Sequence, residues 1–85
     1  MIKLKPLLAS AIQAELRMLE LGLARIAERL QAFEKQYSLT SEEFAHRFAT
    51  GEMGESLDYI EWAGEIETYR RLEEQRQALQ KATLH

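Results

Sequence analysis

Glu43 and His46 are the residues whose types and spacing come closest to a known chemical site. They form a Glu-x-x-His step, which places both side chains on one helix face and is half of what di-iron helical bundles use. Glu15 or Glu20 would have to add a ligand, and a second copy of the chain would have to complete the site. No second Glu-x-x-His step occurs, and Glu43 has a simpler role at a helix start. We therefore predict no metal site and interpret His46 as a surface or interface residue.

The serine and glycine residues also lack the surroundings that catalysis or phosphate binding requires. No serine stands in a Gly-x-Ser-x-Gly context, and the two histidines suggest no catalytic triad. The glycines of segment 50–54 are followed by no lysine, and the neighbouring acids would repel a phosphate group. We predict that the protein is not an enzyme and binds no cofactor.

Acidic residues are concentrated in the second half of the chain. The 85 residues carry a net charge of −3, are 46% hydrophobic and 29% charged, and include no cysteine, which is typical of a folded soluble domain without disulfides. Residues 42–67 contain eight acids against Arg47 alone, a net charge of −7. Such a segment attracts a basic surface and repels nucleic acid. We expect a basic protein partner and no direct nucleic-acid binding, and a merely solvated acidic face is the alternative.

Segment 51–62 combines these acids with large aromatic side chains. Tyrosine and tryptophan are common anchors at protein interfaces, and charges there select the partner. We predict a partner-binding surface formed by Glu52, Glu55, Asp58, Tyr59, Glu61 and Trp62. The alternative is that Trp62 belongs to the core of the fold, in which case its removal would unfold the protein.

Heptad spacing predicts two long helices. The apolar residues of the first follow one another at steps of four and three, beginning after Pro6, which suits a first helical turn. This seam predicts a helix over 6–36, and its members are Ile12, Leu16, Leu19, Leu23, Ile26, Leu30, Phe33 and Tyr37. Similar spacing predicts a helix over 57–82, antiparallel to the first. Gly64 within it predicts close approach by a neighbour, because glycine otherwise weakens a helix.

A short helix is predicted between the two long ones. Thr40 and Glu43 have the spacing of a capping box, and Leu39 and Phe44 stand at the positions of a hydrophobic staple. This pattern predicts a helix over 41–49 that ends at Gly51, a residue suited to the left-handed conformation. Phe44 and Phe48 lie four residues apart on one face, which we expect to be buried in the core.

A second apolar stripe on the first helix suggests self-association. It lies on a different face from the seam and includes Leu7, Ala11, Ala14, Met18 and Leu21. One seam suffices for a hairpin of two helices, so the second stripe requires another partner. We predict an all-α homodimer that forms a helical bundle, with Leu7, Ala11, Met18 and Leu21 at the dimer interface.

The middle of the chain resembles a known family. The residues Glu43-Phe44, Phe48, Gly51-Glu52-Met53-Gly54-Glu55, Asp58-Tyr59, Glu61-Trp62 and Tyr69 are similar to those of TumA-type antitoxins, small prokaryotic proteins encoded beside TumE-type toxins. The resemblance implies a non-enzymatic antitoxin that neutralises its cognate toxin by direct binding. A self-associating structural or adaptor bundle is the alternative function. Because the first residues contain no long apolar run and no small-residue cleavage site, we expect a cytoplasmic location.

Overall fold

The fold is an antiparallel helical hairpin with a short helix at one end. The computed structural model describes residues 4–83, which form α1 (Leu4–Tyr37), α2 (Ser41–Ala49) and α3 (Leu57–Thr83), and no β-strand occurs within this range. The predicted all-α fold is therefore confirmed, and each helix begins and ends within two residues of its predicted bounds. None of the three described helices is both long and apolar enough to cross a membrane.

The predicted seam of α1 packs against α3. Leu16, Leu19, Leu23 and Ile26 are four successive seam residues, and all four are buried. Farther along, the seam becomes aromatic and packs against a core cluster that includes Phe44 and Trp62. The heptad spacing of α1 has thus produced one continuous contact with its neighbour, aliphatic in the middle and aromatic at the end near α2.

Two contacts between α1 and α3 define their register. Arg29 Nη1 donates to Glu65 Oε1 at 3.0 Å, and Leu72 Cδ1 lies 3.4 Å from the position that a Cβ on Gly22 would occupy. Continuing this register places Thr83, the last described residue of α3, level with the third turn of α1. The first two turns of α1 therefore extend beyond Thr83, and the molecule is elongated, about 60 Å long and 21 Å wide.

The start of α2 is capped from two sides. Thr40 Oγ1 accepts a hydrogen bond from Glu43 N at 3.1 Å, as the capping-box spacing predicts. The Glu43 carboxylate accepts instead from Arg47, one helical turn on. A second cap comes from Glu34 of α1, whose Oε2 accepts from Ser41 N at 2.7 Å. This carboxylate lies near the positive end of the α2 dipole and ties α2 to α1.

The end of α2 is a Schellman motif. Gly51 has a φ of +82°, and its N–H donates to Phe48 O at 3.2 Å, while Glu52 N donates to Arg47 O at 3.0 Å. These are the two hydrogen bonds that define the motif, and the left-handed residue is glycine because a side chain would be strained there. The predicted end of α2 at Gly51 is therefore confirmed.

Gly64 does not have the role that the sequence predicts. It lies on the exposed face of α3, and within residues 4–83 a Cβ there would meet no atom of a neighbouring element within 4 Å. The prediction of close approach is therefore wrong for this part of the chain. The close approach occurs at Gly22 of α1, opposite Leu72. Both glycines stand inside amphipathic helices, where heptad spacing alone does not show which one faces the neighbouring helix.

The second apolar stripe of α1 is on the surface. Leu7, Met18 and Leu21 each expose 59–65% of their area, and Ala11 and Ala14 are exposed between them. No element among residues 4–83 covers this stripe. The homodimer therefore stays a prediction, with its proposed interface accessible.

Candidate partner-binding surface

An aromatic cluster lies beneath the acidic segment. The Trp62 ring stacks on Phe44 with centroids 3.9 Å apart and planes 4° from parallel. Phe33 and Tyr37 of α1 stack on the same tryptophan at 5.4 and 5.8 Å. Rings from all three helices therefore meet around Trp62, and their packing fixes the start of α3 relative to α2.

Trp62 belongs to this core and not to the surface. Trp62 and Phe44 have no exposed area, and Trp62 Nε1 donates to Ser41 Oγ at 3.0 Å. The indole therefore has both its apolar faces and its polar N–H occupied within the chain. The prediction of Trp62 as an exposed anchor is corrected: of the two alternatives, the structure has the core tryptophan. The expectation that Phe44 and Phe48 face the core is confirmed, because Phe44 is buried in the cluster and Phe48 is partly buried and packs against it.

Asp58 and Tyr59 connect the core to the surface, and both are half-buried. The Tyr37 hydroxyl donates to Asp58 Oδ2, and Gln36 Nε2 lies 3.4 Å from the same oxygen. This hydrogen bond to the Asp58 carboxylate raises the pKa of Tyr37 to about 12, because ionisation would remove the donated proton and set two negative groups side by side. Tyr59 packs edge-on against Tyr37 at 5.3 Å.

The remaining predicted residues, Glu52, Glu55 and Glu61, are exposed. Between them in sequence lie two exposed apolar residues that the sequence analysis did not select, Leu57 at 85% and Ile60 at 52% exposure. We call these five residues the acidic end surface. Leu57 and Ile60 are one turn apart on α3 and lie off the seam. This spacing is the feature of the sequence from which an apolar pair on the outer face could have been predicted.

The chain positions this surface by ordinary local rules. Gly54 has a φ of +75° and turns the chain toward α3. Ser56 then caps α3, with its Oγ accepting from Tyr59 N at 3.1 Å. Leu57 is consequently the first residue of α3, at the rim of the hairpin. The first turn of α3 is held by the Ser56 cap on one side and by the hydrogen bond from Tyr37 to Asp58 on the other.

The Glu-x-x-His pair, Glu43 and His46, is not part of a cluster of metal ligands in the described residues. Glu43 pairs with Arg47 at 3.0 Å, and His46 is exposed. Among residues 4–83, no group of three or more histidine, aspartate or glutamate side chains is arranged to hold a metal ion.

A shallow groove of about 260 Å³ lies between the helices, lined by Leu30, Ser41, Glu42, Ile66, Tyr69 and Arg70. The Ser41 hydroxyl in this groove accepts from Trp62, and the lining includes no histidine that would serve as its base.

No protein-family model, curated protein or solved structure significantly matches this chain. In the acidic end surface, exposed apolar side chains lie beside exposed acidic residues in the sequence.

Proposed function

We propose that the protein is a non-enzymatic interaction module that binds a basic protein partner through the acidic end surface. The observation that carries this proposal is the exposure of Leu57 and Ile60 among Glu52, Glu55 and Glu61. Exposed apolar side chains with polar residues around them are the usual arrangement of a protein-recognition patch. The core tryptophan contributes by holding the patch rigid.

Each part of the surface has a separate energetic role. Burying Leu57 and Ile60 would remove apolar area from water and supply affinity, about 1.5–3 kcal/mol for each side chain that goes from exposed to fully buried. The net charge of −7 over residues 42–67 would speed encounter with a basic surface and disfavour acidic competitors. Because the aromatic cluster fixes the start of α3, little ordering would be needed on binding.

The proposed partner is a cognate toxin. The resemblance to TumA-type antitoxins supports this choice, and the charge of the acidic end surface supports it independently. A toxin that handles RNA or nucleotides would present a basic surface, which the carboxylates would cover. Neutralisation by occupancy needs no catalytic residue in this chain.

The experiment is co-expression with the neighbouring small open reading frame, followed by affinity capture and titration calorimetry. The variant Leu57→Ala/Ile60→Ala should weaken binding at least about tenfold while leaving the helical spectrum intact, because both residues are exposed. Leu79→Ala, a half-buried leucine at the other end of α3, is the matched control and should bind normally. Unchanged affinity of the double variant would refute the assigned surface.

Charge reversal tests whether the acidic end surface speeds association electrostatically. Glu55→Lys/Glu61→Lys should slow association and flatten its dependence on salt, with a smaller effect on dissociation. Glu74→Lys, an exposed acid on α3 outside the acidic segment, is the control. If both variants associate at the same rate, electrostatic steering by this surface is wrong.

The alternative function is a self-associating structural or adaptor bundle. The exposed stripe of Leu7, Ala11, Met18 and Leu21 favours it. An assembly that forms from this chain alone, together with no binding to the neighbouring gene product, would support the alternative over the antitoxin.

A further inference from the structure

Six exposed apolar residues of α1 form a pattern that is the same in both directions. They occupy successive a and d positions of a heptad repeat, with sizes in the order large, large, small, small, large, large: Leu4, Leu7, Ala11, Ala14, Met18 and Leu21. All six are exposed, and the four large side chains expose 59–66% of their area. A contiguous apolar stripe of this length is uncommon on a monomer.

We propose that this stripe, the palindromic stripe, binds the same stripe of a second copy in antiparallel orientation, with the twofold axis between Ala11 and Ala14. Antiparallel packing of a against d then sets Leu4 opposite Leu21 of the second copy and Leu7 opposite Met18 of the second copy. Ala11 meets Ala14 at the axis. The contact is isologous, since each residue pair occurs twice. The alanine layers let the two helices approach most closely at the centre.

Charge favours the antiparallel over the parallel arrangement. Arg25 and Glu28 occupy the next two heptad positions after Leu21 and are exposed. In a parallel pair, each of these residues would face the same residue of the second copy, which places like charges in contact. It would also bring the two acidic ends together, each with a net charge of −7 over residues 42–67. The antiparallel pair ends at Leu4 and Leu21 and separates the acidic ends.

The shape of the hairpin leaves room for a second copy at this place. The first two turns of α1 extend beyond Thr83, and Leu4 and Leu8 there are exposed at 66% and 60%. The palindromic stripe lies at the opposite end of the hairpin from Leu57 and Ile60. Self-association through the stripe thus does not depend on whether the acidic end surface binds a toxin.

Cysteine cross-linking tests the orientation, and the chain contains no native cysteine to interfere. Leu7→Cys and Met18→Cys chains, mixed and mildly oxidised, should form a mixed disulfide, because residues 7 and 18 share a layer in the antiparallel dimer. Either chain alone should remain uncross-linked. Two copies of residue 7 would be about 17 Å apart along the axis at 1.5 Å per residue, beyond the reach of a disulfide. Self-cross-linking of either single variant would indicate parallel pairing and overturn the proposal.

Sedimentation equilibrium of the cysteine-free chain tests the assembly itself. The unmodified protein should have the mass of a dimer at micromolar concentration, and Ala14→Glu should be monomeric, since it places two carboxylates at the axis. Gln13→Glu adds the same charge at the neighbouring exposed position and should remain dimeric. Circular dichroism should show both variants folded. A monomeric parent protein, or an Ala14→Glu variant as dimeric as the parent, would refute the interface.

Discussion

Replacing Trp62 by alanine tests most directly whether the aromatic cluster holds the fold together. The substitution removes a side chain with no exposed area, its stack on Phe44 at 3.9 Å and the partner of Ser41 Oγ. Truncation of a buried tryptophan or phenylalanine to alanine costs about 3–5 kcal/mol. An 85-residue domain has a total stability of roughly 4–13 kcal/mol, at about 0.05–0.15 kcal/mol per residue. The substitution should therefore remove from about a quarter to all of the stability of the fold.

The assay is urea unfolding followed by circular dichroism, because the substitution removes the only tryptophan fluorophore. All proteins should be compared at one concentration, since self-association would add to the apparent stability. Trp62→Phe keeps an aromatic ring but loses the hydrogen bond to Ser41, and should cost about 1–2 kcal/mol. Ile60→Ala, two residues away and half exposed, is the surface control and should change stability by about 0.5 kcal/mol or less.

The result that would refute this reasoning is a Trp62→Ala protein that loses less than about 1 kcal/mol of stability. If such a stable variant lost partner binding, Trp62 would be an interface residue, which is one of the two alternatives that the sequence suggests. Loss of stability in Trp62→Ala, with binding lost separately in Leu57→Ala/Ile60→Ala, would locate the core and the recognition surface in different residues of the same helix.

Three further substitutions test local features of the fold. Gly64→Ala should stabilise the protein by about 1 kcal/mol, because the exposed helical site has room for a methyl group. Gly51→Ala should destabilise it by about 1–2 kcal/mol, because an alanine side chain is strained at the positive φ of this residue. Equal shifts of the urea midpoint in the two variants would contradict both predictions. Thr40→Ala should cost about 1 kcal/mol by removing a cap, measured in the same way. The pKa of Tyr37 is raised to about 12 in the folded protein, above its usual value, so the stabilisation from its bond to Asp58 should be complete below about pH 10 and be lost as the pH rises to about 12. The free energy of unfolding of Tyr37→Phe should lack this decline with rising pH. If the variant and the parent protein decline equally, groups other than Tyr37 cause the loss of stability.

The local signals of the sequence were sufficient for the helices and their ends. The heptad seam, the cap at Thr40 and the left-handed Gly51 each depend on residues within a few positions of one another. Such short-range rules act on the backbone directly, so they predict where a helix begins, where it ends and which of its faces is apolar.

The long-range contacts were not predictable in the same way. Trp62 meets Ser41 across 21 positions, and Glu34 caps α2 from another helix. Periodicity shows that a face is apolar but does not identify the element that covers it. The tryptophan therefore fitted a core and an interface equally well on sequence grounds. The spacing of Leu57 and Ile60 marks them as an apolar pair on one face of α3, but it does not show that this face is exposed.

The position of the aromatic cluster also implies an order in which the hairpin opens. All the described ring contacts join residues between Phe33 and Trp62, at one end of a molecule about 60 Å long. Backbone amides exchange fastest where few apolar contacts hold a helix, so exchange should begin in the first turns of α1 and progress toward Trp62. A second copy bound to the palindromic stripe would slow exchange at this open end. The extent to which the hairpin opens from this end would then depend on protein concentration.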